Sequence, residues 1–468
     1  MTQVRLICQL NDYLNDAQDV PRAFSPALIV RENADHFLLW ETHYDGGVFF
    51  VLIDSDLWGE RRAELPIREE DELLFKKYTK RFLKTCLYDY LSEKLSVVLP
   101  YGSLTGVRPT KLFYELTAQG KDAFGILKDD FKVIDSRASL IRDCVKNQSD
   151  CINRDPNAVA LFVNIPFCPT RCSYCSFIST EVGRIKRELP SYVAAVKKEL
   201  ATVKELLDQT GKRVTSIYVG GGTPGAIGVE YLRDILRDLQ GYGVEFTVEA
   251  GRPDTIDREM VDAMSDCGVT RISINPQTFK RETLEKIGRK HTPEDFYTAY
   301  DLAKGRFSIN MDLICGLPDE TVSDFRQSLE KTVSLYPDNV TVHSLSLKRG
   351  SVMTLEGTEK SYDGAVRQMT DLSIAFLREN GYLPYYLYRQ KNTLDNLENV
   401  GYCLPDKQCK YNVDMMEESI TVLGVGAGAM TKIIDEGRIS RVGNPKGFRE
   451  YLDRIEEVAE KKRSAFFE

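Results

Sequence analysis

The 468-residue chain carries 62 Lys and Arg against 70 Asp and Glu, a formal charge of −8, and 42% of its residues are hydrophobic. Such a balance describes a folded protein of two or three domains and excludes a disordered chain. Residues 1–150 hold 20 basic and 24 acidic side chains and the remainder 42 and 46, so neither part has the clustered Lys and Arg that binding a nucleic-acid backbone requires.

The first residues, MTQVRLICQLND, lack the charged start and apolar stretch of a secretory signal, and the longest strongly apolar early run is Val48–Ile53; the expectation is a cytoplasmic protein with no membrane span. Runs at Val4–Leu10, Ala27–Val30, Phe37–Trp40 and Val48–Ile53, punctuated by Asn, Asp, Pro and Gly, predict a small sheet of paired strands. Leu73, Leu74, Tyr78, Phe82, Leu87 and Leu91 recur at helical spacing and predict a helix between Glu69 and about Leu99. PYGSLTGVRPTKL then breaks the pattern before more helix to Cys144, and Asn147–Pro156 reads as a join, so 1–150 form an α+β domain of unknown role.

From Ala158 strands and helices alternate. Strands are expected at Val159–Ile165, Val214–Val219, Val244–Val248, Val269–Ile274, Ser308–Ile314 and Asn339–Leu345, with helices between them. Helical crossovers imply a parallel sheet, and six such strands predict an α/β incomplete (βα)6-type barrel over 155–350, with active residues at the C-terminal strand ends. Residues 351–468 are less regular: a helix near Tyr362–Asn380, a polar stretch through Asn412, and the Gly-rich turn LGVGAGAM. They are expected to form an irregular C-terminal extension covering a substrate.

Eleven cysteines are too sparse for a disulfide scaffold, and the four histidines show no metal-site pairing. Cys168, Cys172 and Cys175 stand at C-x3-C-x2-C just beyond the first barrel strand. Three thiolates on one short loop can hold three irons of a [4Fe–4S] cube and leave the fourth open, whereas structural zinc needs a fourth ligand, such as a distant Cys403 or Cys409. Buried thiols are the remaining reading. The second strand runs into GGGTP, either a plain turn or a place where backbone approaches a ligand, and the third ends with Glu249. The C-x5-C pair Cys403 and Cys409 has no third ligand nearby and reads as free thiols, and His343 reads as a strand-end rim histidine.

The loop resembles that of radical S-adenosylmethionine (SAM) enzymes. In them the open iron chelates the amino acid moiety of SAM, and electron transfer from the cluster gives a 5′-deoxyadenosyl radical that abstracts hydrogen. The ordered motifs F-x-N-x-PFCPTRCSYCSF, GGGTP, VEAGRPD, RISINPQTF, GRKHT, MDLICGLP and LGVGAGA resemble the oxygen-independent coproporphyrinogen III oxidase (dehydrogenase) family over about 158–432. PYGSLTGVRPTKL, PYYLYRQKN and ENVGY extend the likeness to its longer HemZ branch and to nearly the whole chain.

The resemblance implies that Cys168, Cys172 and Cys175 bind the cluster, and that Phe162, Gly221 and Glu249 contact a first SAM. Contacts of a second SAM map onto Tyr174, Gly222, Thr223, Gln277, Arg289, Asp312, Ser346 and Met430. Tyr174, Glu249, Gln277, Arg289 and Asp312 are thereby the catalytic candidates. The implied partners are a tetrapyrrole, coproporphyrinogen III or haem, and a flavodoxin- or ferredoxin-type electron donor. The implied reaction takes a hydrogen β to a propionate carboxylate and releases CO2 and an electron to leave a vinyl group, on two of four side chains. Arg108, Arg389 and Lys391 are candidates for the propionates, or solvated surface charges. Two positions depart from the oxidases: Phe177 stands where they carry a fourth Cys, as in the haem chaperone branch, and Phe162 and Asn164 replace Tyr and His of Y-x-H-x-P-F-C. Haem transfer by a chaperone, in which His343 is the alternative haem ligand, or anaerobic haem methylation or ring opening, are the alternative functions; tRNA modification by a radical SAM enzyme, where GGGTP also occurs, calls for a basic RNA face that the charge count does not show.

Overall fold

The computed structural model describes residues 2–8, 13, 17–177, 179–347, 351–355, 364–390, 393–435 and 438–467. Two compact units emerge, one of Met1–Val145 with the short returns around Arg389 and Asp395–Leu397, the other of most remaining residues. No helix among the described residues is long and apolar enough to cross a membrane.

In the first unit, β1 (Thr2–Cys8), β2 (Leu28–Val30), β3 (His36–Asp45), β4 (Val48–Asp54) and β5 (Arg61–Pro66) form one sheet in the order β2-β1-β3-β4-β5. The polar fifth strand escapes hydrophobic patterning because its place comes from antiparallel pairing with β4. The helix Glu72–Leu95 starts where the Asp71 carboxylate accepts the Leu73 and Leu74 N–H groups and ends at Ser96 in a left-handed conformation. Its Leu83, Leu87 and Leu91 bury against Trp40, Val51 and Ile53 of the sheet; truncating Leu87 to Ala would cost about 2–5 kcal/mol. Shorter helices at Pro109–Ala118 and Ala123–Asp129 build a second small core around Phe113 and Leu127.

The second unit holds the predicted alternation. Its strands are β6 (Ala158–Ile165), the two-residue pair β7 (Phe167–Cys168) and β8 (Thr180–Glu181), then β9 (Arg213–Gly221), β10 (Glu245–Gly251), β11 (Arg271–Ile274), β12 (Ser308–Cys315) and β13 (Asn339–Ser344). They are followed by β14 (Leu383–Arg389), β15 (Glu398–Cys403), β16 (Thr421–Val425), β17 (Met430–Asp435) and β18 (Arg438–Gly443). One sheet runs β14-β15-β13-β12-β11-β10-β9-β6-β16-β17-β18, with β6 and β9 to β13 parallel, so the barrel is open at both edges.

The C-terminal region is more regular than its composition predicts. The stretch read as merely polar contains β14, β15 and a helix at Lys410–Glu417; β15 pairs antiparallel with β13, while β16 pairs in parallel with β6. Residues after 350 thus share the barrel's sheet. Alternation separates the two faces: Val159, Leu161, Val163 and Ile165 pack under the helices, whereas Ala158, Ala160 and Phe162 meet Tyr386, Tyr411 and Val422 on the other side.

Candidate functional site

The inward register of the parallel strands sets out a polar wall. Phe162 and Asn164 lie on β6, Tyr218 on β9, Glu249 on β10, Asn310 and Asp312 on β12, and His343 on β13; all are half-buried in an otherwise buried sheet. β7 and β8 pair Phe167 with Thr180 and Cys168 with Glu181, closing the base of the loop that carries the three cysteines.

That loop is tied to its neighbours by backbone bonds. Ser173 N–H donates to the Ile287 carbonyl at 3.0 Å and Cys175 N–H to that of Cys172 at 3.1 Å. The Thr223 hydroxyl donates to Cys168 Sγ at 3.6 Å, and buried Arg252 directs Nη1 at Cys172 Sγ at 3.7 Å while pairing with Asp254 at 2.9 Å. Burial raises the Cys168 thiol, opposed by the Thr223 and Ser179 hydroxyls, and burial with the neighbouring Cys172 and Cys168 pushes Cys175 up to about 11. Three neighbouring cysteines that feel one another's charge, with a hydroxyl aimed at Cys168 and a guanidinium at Cys172, make a donor set suited to thiolates bound to a cationic cluster. Among the described residues, no three His, Cys, Asp or Glu converge to hold a single ion, and a cube asks for no such convergence because each thiolate takes its own iron.

Next to this loop, Gly221 has φ +105°, and a Cβ there would collide with Asn164 Oδ1. Gly222 N–H donates to the Ile165 carbonyl at 2.9 Å and Thr223 N–H to that of Phe167 at 2.7 Å, so GGGTP is locked onto the chain just before Cys168. Phe162 lies 6.3 Å from the Tyr218 ring and stacks at 6.1 Å on Tyr411.

The Glu249 carboxyl is pushed up to about 7 by burial and the nearby Asp312 charge, against the Gly221 N–H, the His343 charge and the Tyr218 hydroxyl. Asp312, which burial alone would raise, is held below its ordinary value by His343, Asn310 and Thr341. Two acids in one chamber are thus driven apart, one ionised and one that exchanges a proton near neutrality.

Arg289 is buried, donating to the Asn275 carbonyl at 2.8 Å and to Tyr174 Oη at 3.3 Å, so it is an interior group and not a surface charge. Burial raises the Tyr174 phenol. Gln277 is buried at φ +63°, a costly conformation for a residue with a Cβ; its N–H reaches the Asp312 carbonyl at 2.9 Å and its carbonyl accepts from Ile314 at 3.1 Å. His291, in the same GRKHT motif as Arg289, is buried and lowered to about 3 by burial and Arg289. Ser346 bridges to Thr393, and Met430 opens β17 largely exposed.

Arg108 precedes the helix Pro109–Ala118 in the first unit. Arg389 donates to the Asn396 carbonyl at 3.0 Å and to that of Leu104, and its guanidinium stands 4.1 Å over the Tyr101 ring, so backbone carbonyls and an aromatic face engage it. Lys391 lies outside the described residues. Cys403 and Cys409 are buried, and burial pushes Cys403 up to about 12. Arg252 is a functional residue that the sequence signals only as an Arg inside the strand-end motif VEAGRPD, and Asn164 has a partner that the sequence does not indicate. That partner, Ala427, accepts from its amide and is 263 residues away.

A family model described as the radical SAM superfamily matches residues 164–332. The oxygen-independent coproporphyrinogen-III oxidase-like protein HemZ of Bacillus subtilis (strain 168) is 39% identical over 409 residues, covering 83% of this chain and 81% of that protein. The heme chaperone HemW of Escherichia coli (strain K12) is 28% identical, covering 64% and 78%. Among solved structures, coproporphyrinogen III oxidase (HemN) from Escherichia coli, described as a radical SAM enzyme, superposes with a TM-score of 0.54 at 22% identity over 66% of this chain and 72% of that one, a likeness of fold.

Proposed function

The chain belongs to the radical SAM superfamily and, within it, to the HemZ-like branch of the oxygen-independent coproporphyrinogen III oxidase family, and from that premise we propose that it converts coproporphyrinogen III to protoporphyrinogen IX by oxidative decarboxylation. The observation that carries this reading is the meeting of the cysteine loop, the locked GGGTP segment and the Glu249–Asp312 wall at the C-terminal ends of parallel strands.

In this reading Cys168, Cys172 and Cys175 would hold a [4Fe–4S] cluster, with Arg252 and Thr223 aiming donors at the sulfurs. The cluster and SAM, when bound, supply reductive C–S cleavage and the hydrogen abstraction that follows from it. Phe162, Gly221 and Glu249 bind the first SAM: the glycine lets Asn164 pack against its bare Cα, which sets the backbone beside the ligand, and the carboxylate takes its amino or ribose donors. Tyr174, Gly222, Thr223, Gln277, Arg289, Asp312, Ser346 and Met430 serve a second SAM, and residues 351–468 cover the tetrapyrrole. Arg289 fixes Tyr174 at the loop, so that pair orients without titrating. A flavodoxin or ferredoxin supplies electrons. Each of two propionates gives up a hydrogen atom, which ends on 5′-deoxyadenosine, and one electron, taken by a one-electron acceptor, and with release of CO2 becomes a vinyl group.

A second reading, haem binding and transfer, is favoured by Phe177, which is 66% exposed where the oxidases carry a fourth Cys, and by the chaperone relatives. Anaerobic incubation of the reconstituted protein with SAM, reductant and either coproporphyrinogen III or haem separates the two by mass spectrometry. Protoporphyrinogen with 5′-deoxyadenosine is the expected product. Unchanged coproporphyrinogen III alongside stoichiometric haem binding, or a methylated or opened haem, would replace the decarboxylase reading.

A further inference from the structure

The surroundings of His343 specify its protonation. Its Nδ1 lies 3.3 Å from Asn399 Oδ1 on β15. The amide's orientation is fixed from elsewhere: Ser344 N–H donates to the same Oδ1 at 3.1 Å, and Asn399 Nδ2 donates to the Tyr388 carbonyl at 3.4 Å. An acceptor therefore faces Nδ1, which must carry hydrogen. The other ring nitrogen, Nε2, stands 3.6 Å from Asp312 Oδ2. A neutral ring with hydrogen on Nδ1 would turn a lone pair on that carboxylate, so both nitrogens call for protons.

The carboxylate is built as carefully. Asn310 Nδ2 donates to Asp312 Oδ1 at 2.8 Å, and Asn310 Oδ1 accepts from the Thr341 hydroxyl at 3.1 Å. One Asp312 oxygen is thus fixed by an amide, and the other faces the ring.

We propose that His343 is a positioning residue, an imidazolium in the barrel wall that keeps Asp312 charged and turned to the interior for its ligand. The charged and titratable groups facing it are Asp312 from β12 and Glu249 from β10, with Asn399 on β15 as the neutral clamp. Burial alone would lower the ring's pKa; Asp312, Asn399 and Glu249 reverse that and raise it. The consequence rests on the reading that Asp312 contacts SAM: ligand affinity at that contact falls as His343 loses its proton on the alkaline side.

Four histidines in the sequence make the test tractable. Full-length protein carrying 13C at histidine Cε1 is titrated by NMR, with the resonance assigned by its loss in His343→Gln. The proposal expects that resonance to titrate clearly above 6.5 and to fall toward that value in Asp312→Asn. SAM affinity measured on the reconstituted protein should drop by up to about tenfold per pH unit above the same midpoint. In His343→Gln it should be weaker at pH 7 and free of that step. A His343 midpoint at or below 6.5 overturns the proposal, as does a raised midpoint that Asp312→Asn leaves unmoved. A raised, Asp312-dependent midpoint with flat SAM affinity supports the pair and overturns the assignment of Asp312 to SAM.

Discussion

Replacing Glu249 by Gln is expected to stabilise the cofactor-free protein at pH 8 while weakening its hold on SAM. The carboxyl sits half-buried at the end of β10, where burial and the Asp312 charge push it from 4.5 to about 7. A folded-state pKa above the unfolded one means that the folded chain binds the proton more tightly. The stability so gained is fully present below about pH 4.5 and is lost as the pH rises through about 7. At about 1.4 kcal/mol per unit the full shift is worth roughly 3 kcal/mol. The side chain is partly open to the interior, so water takes some of that penalty, and ~1–3 kcal/mol is the expected difference. Gln keeps the shape and an acceptor for the Gly221 N–H but has no charge to desolvate. Urea unfolding of wild type and Glu249→Gln between pH 5 and 8 should show the variant ahead at pH 8, with its advantage shrinking as the pH falls. Equal stability at pH 8, or an advantage that grows toward pH 5, would refute the reasoning. Weaker SAM binding by the more stable variant is the signature of a residue kept for function against stability.

Cys168→Ala, Cys172→Ala and Cys175→Ala should each abolish the [4Fe–4S] absorbance and SAM cleavage, while Cys403→Ala and Cys409→Ala keep both; an iron-loaded, SAM-cleaving Cys172→Ala protein would count against the assignment. Gly221→Ala forces a side chain into φ +105° and against Asn164; it should cost about 1–3 kcal/mol in urea unfolding and raise the SAM requirement without removing iron. Lys462→Met leaves the fully buried Glu199 carboxylate without its cation, a loss of about 3–5 kcal/mol by the same measurement, and a cost under about 1 kcal/mol would show that the pair is dispensable.

The barrel was legible because its strands carry apolar residues at alternate positions and its helices are amphipathic, so Ser308–Cys315 and Asn339–Ser344 fall within a residue or so of their expected ends. The cysteine loop was legible because its spacing is local. What escaped is non-local. β5 and β15 owe their state to partners across a sheet, and β15 reads as a polar loop until it is set beside β13. Arg389 read as a candidate anion ligand because sequence cannot show that the Leu104 and Asn396 carbonyls already engage its guanidinium. His343 was visible as a strand-end residue, but its charge follows from the orientation of Asn399, 56 residues on.

Asn164 shows how the C-terminal region enters the site. Its amide donates to the Ala427 carbonyl while its Oδ1 lies beneath Gly221, so the end of β6 is clamped between the LGVGAGAM turn and the GGGTP segment. The turn is held in its own right: Gly426 N–H donates to Glu199 Oε2 at 2.8 Å, Tyr451 donates to the same oxygen at 2.5 Å, and Asn444 bridges the Gly426 carbonyl and Glu199 Oε1 at 2.8 Å each. Lys462, on the helix Ile455–Phe467, completes the pair with Glu199 and reaches Asn444 Oδ1 at 2.9 Å. Every polar atom of that node is matched, which is what allows two charges to stay in the interior. The residue that differs from the His of the oxidases is therefore engaged in holding two backbone segments together. Its identity acts first on the placement of Gly221, through contacts that run to the last helix.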